Sequence, residues 1–319
     1  MRALVTGAAG FVGQWLCREL LNRGVHVFGA LLEEDPPAGA LSPDQRRQVR
    51  WLHADVRRPE HCRRLVDESA PDAIFHLAGV AFLPAASADP AAALEVNVLA
   101  AARLLGEVRE RRRAGTLDPV VLIVGSGEQY GRHDESEQPL RECVEQRPVS
   151  VYAASKAAQE IVALEAFRSS GVRVIATRSF NHSGPWQSDR FVLPALAGRA
   201  LRVRAAGERC LRLGNTAPVR DFSHVADVVR AYVLLVERGT PGEVYNVASG
   251  TGVDVATLAR RILAHAGVDA KLEVDPALVR AVDVPVLIGD AGKLRATTGW
   301  SPEHTLDTII EDLIRATAR

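Results

Sequence analysis

The chain has 319 residues, 47% of them hydrophobic, and its 39 basic residues balance 39 acidic ones. That length suffices for one large domain, or two closely joined ones, with a sizeable core. The balanced charge offers no basic surface for nucleic acid or for an acidic membrane. The run "RERRRAG" from Arg109 to Gly115 ends a helical pattern before a turn and reads as a solvated helix end.

Cys17, Cys62, Cys143 and Cys210 are scattered and form no CxxC pair. Neither a zinc site nor a disulfide framework is expected, and a reducing cytoplasm fits. The 9 histidines are dispersed; His76 at a strand end and His182 in a turn suit packing or sugar contact, and no metal is expected. The first strand starts at Met1, so we expect no leader, and no apolar run reaches membrane-spanning length.

In chain order, "RALVTG" predicts a strand and "GFVGQWLCRELLNRG" a helix with Phe11, Val12, Trp15, Leu16, Leu20 and Leu21 on one face, ended by Gly24. "VHVFGALL" and "DAIFHLAG" predict strands, and "AALEVNVLAAARLLGEVRE" a helix. "PVVLIVGS" is a further strand, "YAASKAAQEIVALEAFRSSG" a helix and "VRVIATRSF" a strand. Alternation of helices with continuous apolar strands argues for an α/β fold, a Rossmann-type doubly wound parallel sheet covered on both faces. After about Phe180 the pattern breaks into loops between helices. A smaller, partly interwoven C-terminal substrate-binding domain is expected there. The division placed on the chain is 1–179 plus about 219–249 for the dinucleotide, and 180–218 plus 250–319 for the substrate.

"TGAAGFVG" sets Gly7, Gly10 and Gly13 in a GxxGxxG array between the first strand and the first helix. The first glycine permits the tight turn, the second lets backbone approach a pyrophosphate, and the third lets the helix pack on the sheet. Free N–H groups at the helix start then face the phosphates. The second strand ends in "GALLEED", with Leu31 and Leu32 where the adenosine ribose is read and Glu33 just beyond. No arginine stands at that position, so NADH is slightly preferred. Asp55 in "HADVRRP" suits an adenine contact, while Arg57 and Arg58 beside it keep NADPH open.

"SVYAASK" places Tyr152 and Lys156 one turn apart on a helix face. A free phenol titrates near pH 10 (about 10) and is a poor acid at neutrality, whereas a nearby ammonium favours its ionised form. The chain has only three lysines, Lys156, Lys271 and Lys293, so a lysine here marks a place where a compact ammonium is wanted. Ser126 ends a sheet strand on the side where open α/β sheets keep their active sites, and its hydroxyl can polarise a carbonyl. Glu128 leaves two readings open: a proton-abstracting base, or a residue that orients the loop and takes bonds from sugar hydroxyls.

Together these residues resemble the extended short-chain dehydrogenase/reductase family over nearly the whole chain. "GSGEQYG", "TRSFNHSGP", "VRDFSHVADVV", "GEVYNVASG" and "VDVPVLIGD" with "TTGWSP" resemble its branch acting on GDP-linked 6-deoxyhexoses. The resemblance implies NAD(P)H-dependent reduction of a 4-keto group on a GDP-linked 6-deoxy-4-ketohexose. Ser126, Tyr152 and Lys156 would be catalytic, with Glu128 beside them. Phe11, Val12, Val56, Leu77, Ala78 and Gly79 would line the dinucleotide, and Asn97 would support Lys156. Asn181 would lie by the sugar-nucleotide diphosphate, Arg220 and Arg280 would clamp phosphate oxygens, and Asp283 would accept from guanine.

Sister 4,6-dehydratases would show a threonine at Ser126, yet Glu128 keeps a dehydratase open, and a UDP-sugar epimerase remains a third reading. A non-catalytic dinucleotide sensor is disfavoured by the Ser126–Tyr152–Lys156 set. Trp186 stands where relatives usually carry glycine, which predicts a differently shaped loop beside the diphosphate. Alanine-rich outer faces in "AAARLLGEV" and "AASKAAQEI" predict a homodimer through a four-helix contact.

Overall fold

The computed structural model describes residues 1–33, 35–278 and 284–318. Thirteen strands follow one another along it: β1 (Arg2–Thr6), β2 (His26–Leu31), β3 (Arg50–His53), β4 (Ala73–His76), β5 (Val120–Ser126), β6 (Val174–Ser179), β7 (Asn181–Ser183), β8 (Cys210–Leu213), β9 (Val219–His224), β10 (Val244–Val247), β11 (Gly252–Asp254), β12 (Lys271–Val274) and β13 (Val286–Leu287). A seven-stranded sheet runs in the order β10-β6-β5-β4-β1-β2-β3, and every pairing in it is parallel. The order reverses between β1 and β4, which opens the crevice where doubly wound sheets bind dinucleotides.

Period-2 alternation sends the two faces of each strand into separate cores. Ala3 and Val5 of β1 join Leu122 of β5, Trp15, Leu16 and Leu20 of helix Phe11–Asn22, and Tyr232 of helix Val225–Arg238. Leu4, Val121 and Ile123 face the other way, onto Leu65 of helix Pro59–Ser69, Leu104 and Val108 of helix Ala100–Arg113, and Ala163 of helix Val151–Ser170. Strand β3 and helix Pro59–Ser69 lie where no periodicity had been read, in a charged stretch between the second and third apolar runs.

A third core joins helices Val192–Ala206, Val255–His265 and Leu306–Thr317 through Leu196, Ile262 and Ile310. Beside it, β9 pairs with β7, β11 and β13. Strand β9 therefore sits in this smaller part, while the helix after it and β10 return to the first core and sheet. Leu294 and Trp300 also pack in the first core, so the chain crosses between the parts once more near its end. Among the described residues, no helix is long and apolar enough to cross a membrane.

Candidate active site

The C-terminal ends of the central strands open into a cavity of about 1760 Å³ that both parts line. A typical small-molecule pocket is roughly 300–1,000 Å³, so this one has room for a dinucleotide and a sugar nucleotide together.

Its dinucleotide end is built by the glycine array. Gly7 has φ +69°, and a Cβ there would stand 2.9 Å from the Ala78 nitrogen. A Cβ on Gly13 would lie 2.1 Å from the Gly7 carbonyl oxygen, so the helix sits on the turn at a distance only glycine allows. Gly10 caps helix Phe11–Asn22 without a side-chain cap, which leaves the N–H groups of Phe11 and Val12 toward the cavity for a pyrophosphate. The residues present thus fit a dinucleotide. Leu77, Ala78, Gly79 and Val56 line the same end.

At the end of β2, Leu31, buried in the sheet, lines the cavity together with the exposed Leu32 and with Glu33. Asp55 lines the cavity too, with its carboxylate already engaged: Arg57 Nε donates to both oxygens at 2.9 and 3.0 Å and Nη2 donates to Oδ2 at 2.8 Å. That bond to Arg57 holds the Asp55 carboxyl below the ordinary carboxylate range.

At the reacting end, Ser126 closes β5 and caps a 3₁₀ turn, Gly127–Tyr130. Its Oγ accepts from the Glu128 N–H at 3.2 Å, so the hydroxyl proton is left to point elsewhere. Tyr152 lies in the first turn of helix Val151–Ser170, whose start is capped by Ser150. Burial, opposed by a hydrogen bond with Ser126 and joined by the Glu128 charge, leaves the Tyr152 phenol raised to about 12. Lys156 was expected to do the lowering. Here its Nζ donates instead to the Val124 carbonyl at 2.8 Å and to Gln159 Oε1 at 2.9 Å. Burial brings the Lys156 ammonium down to about 8.

Beside Lys156 runs a wide π turn, Glu95–Leu99, inside an otherwise α-helical run. Such turns favour functional sites. The turn buries Asn97, which accepts from Val80 N–H at 2.8 Å and donates to Ser155 Oγ at 2.8 Å. A Cβ on Gly79 would stand 2.8 Å from Asn97 Oδ1 and 3.4 Å from Lys156 Nζ, so the three meet at one point. His76 lies buried behind them, with Nδ1 2.8 Å from Thr6 Oγ1, and burial followed by the Lys156 charge takes it down to about 3.

Across the cavity, Asn181 in β7 and Arg220 in β9 line the wall, and Glu128 faces it as well. Arg280 and Asp283 lie outside the described residues. His182 of β7 stacks on Phe11, with centroids 6.5 Å apart, and the loop after β7 is tied down by Trp15 Nε1 donating to the Pro185 carbonyl at 3.2 Å. Next in that loop Trp186 adopts φ +76°, and its side chain lines the cavity while 60% exposed. Phe82 from the first part meets Phe191 from the second, edge to face at 6.0 Å, and both line the cavity. Neither ring had been singled out in the sequence: each follows an unremarkable loop, and their meeting depends on how the two parts close.

A glycine-cradled dinucleotide crevice with serine, tyrosine and lysine at its reacting end defines an NAD(P)-dependent short-chain dehydrogenase/reductase of the extended type. Residues 4–313 match the family model described as GDP-mannose 4,6 dehydratase, and the chain belongs to that family. It is similar to the GDP-6-deoxy-D-mannose reductase of Pseudomonas aeruginosa, 35% identical over 96% of this chain and 93% of that one. The GDP-mannose 4,6-dehydratase of Yersinia enterocolitica is 24% identical over 98% of this chain and 92% of its own. Among solved structures, RMD from Pseudomonas aeruginosa complexed with NADPH superposes with a TM-score of 0.82 and 30% identity over 99% of both chains. UDP-glucose 4-epimerase of Thermotoga maritima, solved with UDP-glucose, gives 0.88 at 25% identity, covering 100% of this chain and 99% of that one.

Proposed function

We propose that the protein reduces the 4-keto group of GDP-4-keto-6-deoxy-D-mannose to give GDP-D-rhamnose, at the expense of NAD(P)H. The observation that carries the reading is the pairing of Ser126 and Tyr152 at the end of β5, inside a cavity large enough for both ligands. When bound, the nicotinamide supplies the hydride that forms the new C–H bond at the sugar carbon. Tyr152 donates its phenolic proton to the carbonyl oxygen as that oxygen takes up negative charge. Ser126, whose Oγ is already an acceptor for Glu128 N–H, keeps its own proton to donate to the same oxygen. Lys156, held by the Val124 carbonyl and Gln159, is proposed to position the ribose. Asn181 and Arg220, which line the cavity, are proposed to hold the diphosphate, with Arg280 and Asp283 as further phosphate and guanine contacts.

Serine at 126 and the 35% identity to a reductase favour reduction over dehydration. We assign Glu128 to loop orientation and sugar contact. For the cofactor we favour NADH: Leu31 and Leu32 offer a 2′-phosphate no donor, and Arg57 is committed to Asp55. The protein is further proposed to work in the cytoplasm as a homodimer.

The test mixes the protein with GDP-4-keto-6-deoxymannose and NADH or NADPH, and in parallel with GDP-mannose and no reductant. Loss of nicotinamide absorbance in the first mixture alone is expected, faster with NADH. A 4-keto product from GDP-mannose would make Glu128 a base and overturn the reading. Tyr152→Phe should lower kcat by about a hundredfold to ten-thousandfold while cofactor still binds; retained function would point to a sensor.

A further inference from the structure

Behind the reacting end lies a buried ion pair that the reduction itself does not consume. Glu160 stands on the same helix as Tyr152, and Arg178 stands in β6. Arg178 Nε donates to Glu160 Oε2 at 2.9 Å and Nη2 donates to Oε1 at 2.7 Å, with both residues no more than 5% exposed. Burying two charges is costly, and even a well-made pair often stabilises a fold no better than apolar residues of the same volume. Stability is therefore a weak account of it.

Gln129 supplies a better one. This fully buried amide donates from Nε2 to Glu160 Oε2 at 2.9 Å, and its Oε1 accepts from the Ser126 N–H at 2.7 Å. Gln146 closes the group, donating to Glu160 Oε1 at 2.7 Å and accepting from Gln129 at 3.2 Å. A carboxylate accepts only, so Glu160 decides which way the Gln129 amide faces. With its NH2 turned to Glu160, the amide presents its oxygen to Ser126; flipped, it would aim N–H at N–H. Space is short as well, since a Cβ on Gly125 would come within 2.4 Å of Gln129 Oε1.

One carboxylate thereby ties the turn that carries Ser126 to the helix that carries Tyr152. We infer that Glu160, Arg178 and Gln129 are positioning residues, which hold the Ser126 and Tyr152 hydroxyls at the separation needed to address one carbonyl oxygen. This rests on the keto-reduction reading above.

Gln129→Met keeps the volume and removes all three of its bonds, to Ser126, Glu160 and Gln146. We expect kcat to fall by about tenfold or more, with KM for the nicotinamide within about twofold of the parent. In a Ser126→Ala background the same change should cost nothing further, because the hydroxyl it positions is gone. A Gln129→Met enzyme that turns over like the parent overturns the inference, and so does a loss that multiplies in full onto Ser126→Ala, as a general packing defect would. Should Gln129→Met fail to fold, Glu160→Gln is put through the same cycle under the same two criteria. A parent inactive with either cofactor would sink the reduction reading alone. Positioning is then decided by a crystal structure of the variant: a Ser126 shifted by more than about 0.5 Å supports it, and an unmoved one overturns it.

Discussion

Tyr152 and Lys156 are both buried, and burial acts on them in opposite directions. The phenol goes up to about 12 and the ammonium down to about 8 from 10.5, since each is pushed toward its neutral form. For Lys156 the folded value lies below the unfolded one, so the unfolded chain binds more protons between those limits, and stability rises with pH from about 8 to 10.5. Lys156→Met should remove that rise and stabilise the unliganded protein at pH 7, by a few kcal/mol at most (roughly 3). Urea denaturation at pH 7 and 9.5 measures both effects; a variant less stable than the parent at pH 7 would contradict them. Trp186 stores a different cost. A left-handed backbone is unfavourable for an L-residue by roughly 1–2 kcal/mol, and glycine would give back about 0.4–1 kcal/mol through its freer unfolded chain. Trp186→Gly should therefore leave the protein as stable or slightly more stable, with a melting temperature no lower than the parent's.

At the scale of elements, the glycine turn and the tyrosine helix were legible because their chemistry is local. Three glycines at a fixed spacing after a strand can do little else, and residues four apart must share a helix face. What escaped was contact between separate segments. Gln129, Glu160 and Arg178 sit on a turn, a helix and a strand, and no spacing links them. Asp55 was legible as a wall residue, but its capture by Arg57 is a matter of side-chain reach. The helix around Asn97 was read as continuous, and the π turn in it comes from the tertiary demand to aim one amide at Val80 and Ser155. Asn97→Ala should leave the Val80 N–H without its side-chain acceptor and cost about 1–3 kcal/mol, read by chemical denaturation. A loss below about 0.5 kcal/mol would mean that water takes over both bonds.

Over the whole molecule, the parallel sheet with two covered faces followed from the pattern of apolar runs, and so did a partly interwoven second part, whereas the places where the chain crosses between the parts did not. Strand β9 and helix Val225–Arg238 adjoin in sequence yet belong to different cores, because a crossing point carries no periodicity of its own. The outer face made by the Asn97 and Tyr152 helices exposes Leu94 at 43%, Leu99 at 48% and Ile161 at 64%. Contiguous apolar exposure can mark an interaction surface, and we propose this face as the contact of the homodimer. The 34.4 kDa chain should sediment as a dimer at micromolar concentration, and Ile161→Glu should yield a folded monomer. A parent that sediments as a monomer would remove the dimer from the reading.

The edge-to-face contact of Phe82 with Phe191 spans the two parts at the wall they share. An aromatic pair of this geometry contributes only about 0.5–1.5 kcal/mol beyond the area it covers, so it is a light fastening between the parts. As a fastener it is closer to a magnetic catch than to a bolt. Both rings line the cavity, so a ligand seated there lies against the join between the two parts.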